Sequence, residues 1–194
     1  MKKMVMMFGA ILLLWGAANA RAASYTFEMG SNSFVDVTGT AAALEMYAVI
    51  ASDLDSLEFT LAEGESFTFD FATIGTQESW INGDDLNAGT VTAFLDFDTP
   101  NIMESVNGTT VGFSGVLEFN QGWELSWTDP VMVDAGDGLM FTVEISDMTY
   151  SAGWWQGPTG EKMVKVAVTL NSATVPIPGA AWLLGSGLMG LIAV

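Results

Sequence analysis

The sequence of 194 residues has no histidine and no cysteine, and only 5 lysines and arginines stand against 23 aspartates and glutamates. Without imidazole or thiolate groups there is no Ser-His-Asp or Cys-His nucleophile, no nitrogen or sulfur ligand for zinc, and no disulfide. The formal net charge of −18 repels phosphate backbones and therefore excludes nucleic acid as a partner. The groups that remain available for binding are oxygen ligands, aromatic rings and hydrogen-bonding side chains.

Hydrophobic residues, by contrast, are abundant. They make up 50% of the chain, which also contains 7 tryptophans and 21 glycines. That proportion is too high for a disordered acidic segment. The length suits one domain that can bury a core without disulfides or a structural metal.

The N-terminus has the three regions of a secretory signal peptide. Two lysines precede an apolar run over residues 4–15, and the small residues that follow offer A-x-A cleavage sites ending at Ala20 or Ala22. The alternative, a retained membrane anchor, is disfavoured because the apolar run is short for a bilayer. We therefore predict a signal peptide over residues 1–22 and export through the Sec machinery. The mature chain would keep two bases and 23 acids, a net charge of −21.

The C-terminus is an uncharged segment over residues 175–194 that begins with two prolines. Proline cannot continue a strand ladder, so the globular domain is expected to end there. As a helix, the apolar run after the prolines would span roughly 24 Å, a little short of the ~30 Å hydrocarbon core of a bilayer. The alternative is a helix buried in the domain, which the glycine interruptions and the missing polar face disfavour. We predict a C-terminal hydrophobic helix that associates with the membrane.

The string VPIPGAAWLLGSGLMGL closely resembles the PEP-CTERM sorting signal in its Val-Pro-x-Pro variant. In that family the motif precedes a transmembrane helix and a terminal Arg-rich cluster, and an exosortase in the inner membrane of Gram-negative bacteria recognises the tail. Here Ile177 stands where the family has Glu, and no basic cluster follows the apolar run. The sorting motif comprises Val175, Pro176, Ile177, Pro178, Trp182, Gly185, Ser186 and Gly187.

The resemblance implies an exported protein with an inner-membrane-anchored intermediate. An exosortase-type enzyme would process it, and its destination would be the cell surface or the extracellular matrix. Carriers of the signal are often associated with exopolysaccharide and biofilm. This expectation rests on about a tenth of the chain.

Residues 24–174 show the alternation of apolar and polar positions that is typical of half-buried antiparallel strands. Between Thr40 and Ala51 a short helix competes with a strand, and we expect a strand at the end of that segment. Many short strands predict a single all-β domain, an antiparallel β-sandwich or jelly-roll-like fold. Turns are predicted at Glu63-Gly64-Glu65, Asn82-Gly83-Asp84, Asn107-Gly108, Gln121-Gly122, Gly136-Asp137-Gly138 and Gly157-Pro158.

One acidic string, Asp53-x-Asp55-x-x-Glu58, is similar to the carboxylates of β-jelly-roll glycoside hydrolases that work by a retaining mechanism. On a strand, Asp53 and Asp55 would share one face and Glu58 would lie on the other. The family also has Glu at the first position. We interpret the string as coincidental, a solvated acidic stretch, and expect no catalytic residues and no enzymatic activity.

No cofactor is predicted, and calcium is the one metal for which the acidic loop residues are candidate ligands. Calcium takes six to eight oxygen ligands, and carboxylates are frequent at the predicted turns. None of the strings has EF-hand spacing, and the alternative is that turn carboxylates cap their own backbone. The candidate ligands are Asp84, Asp85, Asp96, Asp98, Asp134 and Asp137.

The tryptophans divide into two groups. Trp123 and Trp127 share one strand face and are expected in the core. Trp154 and Trp155 are adjacent in a Gly-rich segment and cannot both face one core, so with Tyr150 they are candidate carbohydrate contacts. The alternative is a loop that closes one end of the sandwich. Two functions therefore stay open: a structural or exopolysaccharide-associated protein of the envelope or matrix, and a carbohydrate-binding module that could depend on calcium.

Overall fold

The structure, a computed structural model, describes residues 23–115, 120–128, 130–153 and 156–173. The predicted signal peptide, the sorting tail and the Trp154-Trp155 pair lie outside these ranges. Within them the chain forms strands and no α-helix, which confirms the predicted all-β class. The strands are β1 (Ser24–Met29), β2 (Phe34–Asp36), β3 (Met46–Ile50), β4 (Glu58–Ala62), β5 (Ser66–Thr76), β6 (Gly89–Thr99), β7 (Ile102–Gly115), β8 (Asn120–Trp127), β9 (Val131–Gly136), β10 (Leu139–Ile145), β11 (Met148–Gly153) and β12 (Gly160–Ser172).

The strands form two antiparallel sheets in a sandwich-like arrangement. The seven-stranded sheet has the order β11-β8-β7-β6-β1-β4, and β2 pairs with β6 beside β1. The five-stranded sheet has the order β3-β5-β12-β10-β9. Strand β12 contributes Val164, Val166, Val168 and Leu170 to the core, all fully buried, while the intervening side chains are at least partly exposed. The predicted alternation is thus the pattern that builds the core.

A β-bulge in β5 changes which side chains face inward. Lys165 of β12 pairs with Asp70, but the preceding Val164 pairs with Ala72, so Phe71 has no partner position. Phe71 and Ala72 are consecutive and both fully buried. Such an extra residue resets the period-2 pattern, so the odd positions are buried before the bulge and the even positions after it.

Two of the predicted turns are wrong. Asn107-Gly108 lies inside β7 and Gln121-Gly122 lies inside β8. At Gly108 a Cβ would lie 2.8 Å from Cε3 of Trp127, and at Gly122 a Cβ would collide with the carbonyl oxygen of Tyr150. These glycines therefore serve close packing within a sheet, which a sequence pattern does not distinguish from a turn.

Two other predicted turns are confirmed by backbone geometry. Gly64 has a φ of 84° between β4 and β5. Between β9 and β10, Gly136, Asp137 and Gly138 have φ values of 83°, 51° and 77°. Positive φ is easily adopted by glycine and tolerated by aspartate, which explains the composition of this hairpin.

The segment between Thr40 and Ala51 contains no α-helix. It begins with a 3-10 helix, Thr38–Thr40, and ends in strand β3. The Thr40 hydroxyl donates to the carbonyl of Val37 at 2.8 Å and accepts from the amide of Met46 at 3.1 Å. The expected strand at the end of the segment is therefore confirmed.

The two ends of the sandwich differ in chemistry. At one end, which we call the aromatic end, six phenylalanines pack together: Phe27, Phe59, Phe67, Phe69, Phe97 and Phe141. At the opposite end, the polar end, buried polar residues lie within and beside the loop that links β5 to β6. These are Thr40, Thr76, Asp85, Thr110 and Gln121. In the described parts of the chain, no helix has the length and apolar character needed to cross a membrane.

Candidate functional site

The loop over residues 77–88, which we call the acidic loop, crosses the polar end and is held there by hydrogen bonds. The backbone amide of Ile81 donates to Oε1 of Gln121 at 3.1 Å, and the amide of Gly112 donates to the carbonyl of Asp85 at 2.8 Å. The hydroxyl of Thr159 donates to the carbonyl of Glu78 at 2.6 Å. The loop is therefore joined to β7, β8 and the segment before β12.

A cavity of about 320 Å³ opens beside the start of this loop. The lining is formed by the end of the segment before β3, by β3 itself and by the first loop residues. Across Gly75, the hydroxyl of Tyr47 donates to Oε2 of Glu161 at 3.1 Å. A side chain on Gly75 would disturb this contact, because its Cβ would lie 2.5 Å from the carbonyl oxygen of Gly160 and 2.9 Å from the Tyr47 hydroxyl. The lining residues are Glu45, Met46, Tyr47, Gln77 and Glu78.

Negative charge accumulates around Glu78. Partial burial raises the pKa of this carboxyl above its ordinary value, and the charges of Asp85, Glu45 and Asp84 raise it further. Burial also raises the pKa of Tyr47, together with its hydrogen bond to Glu161. The burial and the neighbouring carboxylates that raise these two pKa values also disfavour a further negative charge, so the cavity favours uncharged or cationic groups.

Asp84 and Asp85 have different surroundings although they are adjacent. Asp85 is only 1% exposed, and its Oδ2 accepts from the amide of Asn82 at 2.8 Å. Asp84 is exposed, and its amide donates to Oδ1 of Asn82 at 3.2 Å. Asp85 therefore stabilises the loop as a buried cap, while the Asp84 carboxylate lies at the surface.

Asp96 and Asp98 lie side by side on β6 and approach Gly30. The Asp96 carboxylate accepts from the amide of Asn32 at 3.1 Å and from its side-chain Nδ2 at 3.0 Å. A Cβ on Gly30 would collide with Asp96 and lie 2.8 Å from Oδ1 of Asp98. Asp96 thus anchors the turn between β1 and β2.

Asp134 and Asp137 belong to the β9–β10 hairpin. Oδ1 of Asp134 accepts from the amide of Gly136 at 3.0 Å, and Asp137 provides one of the left-handed positions. Both are exposed. The six candidate calcium ligands therefore lie in three separate places, two in each. Across the described ranges, no group of three or more acidic residues is arranged to hold a metal ion, and calcium binding stays a prediction.

The acidic string at residues 53–58 does not form a strand face. Asp53 precedes a 3-10 helix, Leu54–Ser56, and Glu58 is the first residue of β4. The expectation that Asp53 and Asp55 share a strand face is therefore wrong, because the 3-10 turn reorients the backbone between them.

The tryptophans of β8 lie in the hydrophobic core, and Tyr150, the described residue of the candidate sugar site, packs against that core. Trp123 is fully buried and Trp127 is 8% exposed, as expected for core residues. Tyr150 stacks on Trp123, with ring centroids 5.9 Å apart, and its hydroxyl donates to the carbonyl of Thr159 at 3.0 Å. Its ring also lies against Gly160. Tyr150 therefore contacts Thr159 and Gly160, which follow Trp154 and Trp155 in the chain.

The cavity was not foreseen from sequence. Glu45, Glu78 and Glu161 come from three distant parts of the chain, and each is one acid among 23. Strand β3 pairs with β5, which brings Glu45 and Tyr47 beside the start of the acidic loop, and β12 pairs with the other side of β5, which places Glu161 opposite Tyr47 across Gly75. No residue spacing carries that information.

Comparisons with protein-family models, curated proteins and solved structures give no match for this chain. The function is therefore argued from its own residues.

Proposed function

We propose that this jelly-roll-like sandwich is the folded part of an exported, non-enzymatic protein of the cell envelope or extracellular matrix. The N-terminal segment would direct export and the PEP-CTERM-like tail would direct sorting by an exosortase-type enzyme. Its role would be structural or associated with exopolysaccharide.

The observation that best supports this proposal is how the described carboxylates are used. Asp36, Asp85, Asp96 and Asp147 each accept from a backbone amide within a turn or at a strand end, at 2.7–3.1 Å. Such carboxylates stabilise loops. The remaining acids give a strongly anionic surface, which keeps an extracellular protein soluble without disulfides.

The experiment is fractionation of a Gram-negative host that has an exosortase and expresses the full chain with an epitope tag inserted at the exposed Gly83. We expect surface or matrix localisation for the full chain, and a change of fraction when residues 175–194 are deleted. A matched variant, Pro176→Ala with Pro178→Ala, tests the motif alone. Cytoplasmic retention of the full chain would refute the proposal.

A carbohydrate-binding module is the second candidate, and the position of Trp80 favours it. This ring is 53% exposed on the acidic loop. The same loop contacts the segment that follows Trp154 and Trp155, because Thr159 donates to Glu78 and a Cβ on Gly157 would lie 2.6 Å from the carbonyl of Ser79. Exposed aromatic rings beside carboxylates and amides can hold a sugar by stacking and hydrogen bonding.

A glycan array with and without calcium tests this candidate. We expect binding that is weakened by Trp154→Ala or Trp155→Ala, with Trp127→Phe as a control for a core tryptophan. A lack of binding in both conditions would eliminate the polar end as a sugar site. A dependence on calcium that Asp84→Asn removes would identify the ligand loop.

A further inference from the structure

The sequence contains the dipeptide Asn-Gly twice, and the structure places the two copies in opposite surroundings. Asn82-Gly83 lies in the acidic loop, where both residues are exposed. Asn107-Gly108 lies inside β7, where Asn107 is exposed but Gly108 is buried. The two copies share one covalent chemistry, so any difference in their reactivity has to come from the fold.

That chemistry is an attack of the main chain on the asparagine side chain. The glycine amide nitrogen, once it has lost its proton, attacks Cγ of the preceding asparagine, and glycine has no Cβ to hinder the approach. A bond forms between this nitrogen and Cγ, the Cγ–Nδ2 bond breaks, and Nδ2 leaves as ammonia after taking a proton from water. Water then opens the resulting succinimide ring at either carbonyl carbon, which gives aspartate or isoaspartate.

The acidic loop leaves Gly83 open to this reaction. No described residue accepts a hydrogen bond from the Gly83 amide, and a Cβ on Gly83 would meet nothing within 4 Å. Oδ1 of Asn82 accepts from the amide of Asp84 at 3.2 Å. Because Asp84 is the residue after Gly83, this bond folds the Asn82 side chain back along the Gly83 peptide unit. The side chain is therefore directed toward the nitrogen that would attack it.

Strand β7 opposes the same reaction at Asn107. Gly108 pairs with Val91 of β6 on one side and with Trp127 of β8 on the other, so its peptide groups belong to the ladders in the middle of the sheet. The Asn107 side chain is bonded across the strands, since the hydroxyl of Thr92 donates to its Oδ1 at 3.0 Å. Turning the Gly108 peptide toward Cγ of Asn107 would disrupt the ladder and the packing of Gly108 on the Trp127 ring.

We propose that Asn82 is a site of spontaneous deamidation and that the fold protects Asn107 from it. Either product adds a negative charge beside the carboxylates of Asp84 and Asp85. Isoaspartate also adds one methylene group to the main chain between residue 82 and Gly83. That insertion changes the span over which the amide of Asn82 donates to Oδ2 of the buried Asp85 at 2.8 Å. The reaction therefore alters both the charge and the geometry of the acidic loop as the protein ages.

The test is incubation of the purified full chain at neutral and mildly alkaline pH, followed by mass spectrometry of its proteolytic peptides. We expect conversion at Asn82 that rises about tenfold per pH unit, because the deprotonated fraction of the attacking amide rises by that factor. Gly83→Ala should slow this conversion, since the methyl group hinders the attack and the open surroundings of Gly83 accommodate it. Asn87, which is exposed in the same loop but is followed by Ala88, is the internal control for exposure.

A parallel incubation in urea separates the chemistry of the dipeptide from the effect of the fold. Asn82 and Asn107 should react at similar rates in the unfolded chain, whereas Asn82 should react much faster in the folded one. Equal rates at the two sites in the folded chain would overturn the proposal, as would an Asn82 that reacts only in urea. Conversion of Asn87 as fast as Asn82 would assign the reaction to exposure alone and would also overturn it. These outcomes do not depend on where the protein is sorted, so the proposed function is tested separately.

Discussion

The aromatic end and the polar end differ in the kind of side chain that they bury and in how these side chains are stabilised. Phe27 at the aromatic end is fully buried, and its ring centroid lies 5.2 Å from those of Phe59 and Phe141. None of these rings needs a hydrogen bond. At the polar end each buried residue needs a partner, and Thr40, Asp85 and Gln121 obtain theirs from loop backbone. At the aromatic end the burial of apolar surface stabilises the fold. At the polar end the buried groups also need hydrogen bonds from correctly placed loops.

The polar end is also not fully satisfied. Among the described residues, Oγ1 of Thr110 and Nε1 of Trp123 and Trp127 are buried without a hydrogen-bond partner. An unsatisfied buried group costs about 1–3 kcal/mol. The cavity and the cluster of acids lie at this same end. The two ends therefore differ in how completely their buried groups are satisfied, and the carboxylates and the cavity that could take part in binding lie at the polar end.

The largest effect is expected from Phe27→Ala. Removing a fully buried ring that contacts Tyr25 and three other phenylalanines leaves a cavity, so the free energy of unfolding should fall by about 3–5 kcal/mol. Urea unfolding followed by tryptophan fluorescence measures it. The control is Phe34→Ala at an exposed position, which should cost far less. Equal losses for both variants would contradict the assignment of the core.

An intermediate effect is expected from Gly108→Ala. The new methyl group would press on the ring of Trp127, and overpacking of this kind costs about 1–3 kcal/mol. Thermal unfolding measures the change, with Gly83→Ala as the control because a Cβ there meets nothing within 4 Å. If both variants unfold at the wild-type temperature, β7 does not pack against Trp127 as described.

The smallest effect is expected from Glu78→Gln and concerns pH. Since burial and neighbouring acids raise the folded-state pKa of Glu78, its contribution to stability is present at low pH and is lost as the pH rises through that pKa. The wild type should therefore gain stability from this group as the pH falls from neutrality, and Glu78→Gln should reduce that gain and be more stable at neutral pH. Urea midpoints across this range measure it. Glu124→Gln, an exposed position on β8, controls for the loss of one charge, and identical profiles for the two variants would refute the cluster.

The strands could be predicted from sequence because burial of one sheet face forces a period of two, as in β6 and β12. The turn at Gly136–Gly138 was equally accessible, since positive φ restricts residue type. The turns predicted at Gly108 and Gly122 are wrong because glycine, which has no Cβ, is used both in turns and where two strands pack closely. The bulge at Phe71 could not be anticipated, since one extra apolar residue leaves the composition unchanged.

The candidate sites differ in the same way. Asp84 and Asp85 are adjacent residues of the same type, so the sequence does not distinguish them. Only the position of the acidic loop makes Asp85 a buried cap and Asp84 a surface carboxylate. The stacking of Phe34 on Phe94 was also not predicted, because β2 joins the sheet beside β1 and brings together two residues that are 60 positions apart.

What the sequence determined by itself is the class of fold, the absence of imidazole and thiolate groups, and the anionic character of the chain. These properties are sums over residues or short-range periodicities, and they do not depend on which strands become neighbours. Only the tertiary structure decided which acids lie near Glu78, which glycines pack against an aromatic ring, and that Phe34 is exposed. Those outcomes depend on strand order and register, which arise from packing between distant parts of the chain.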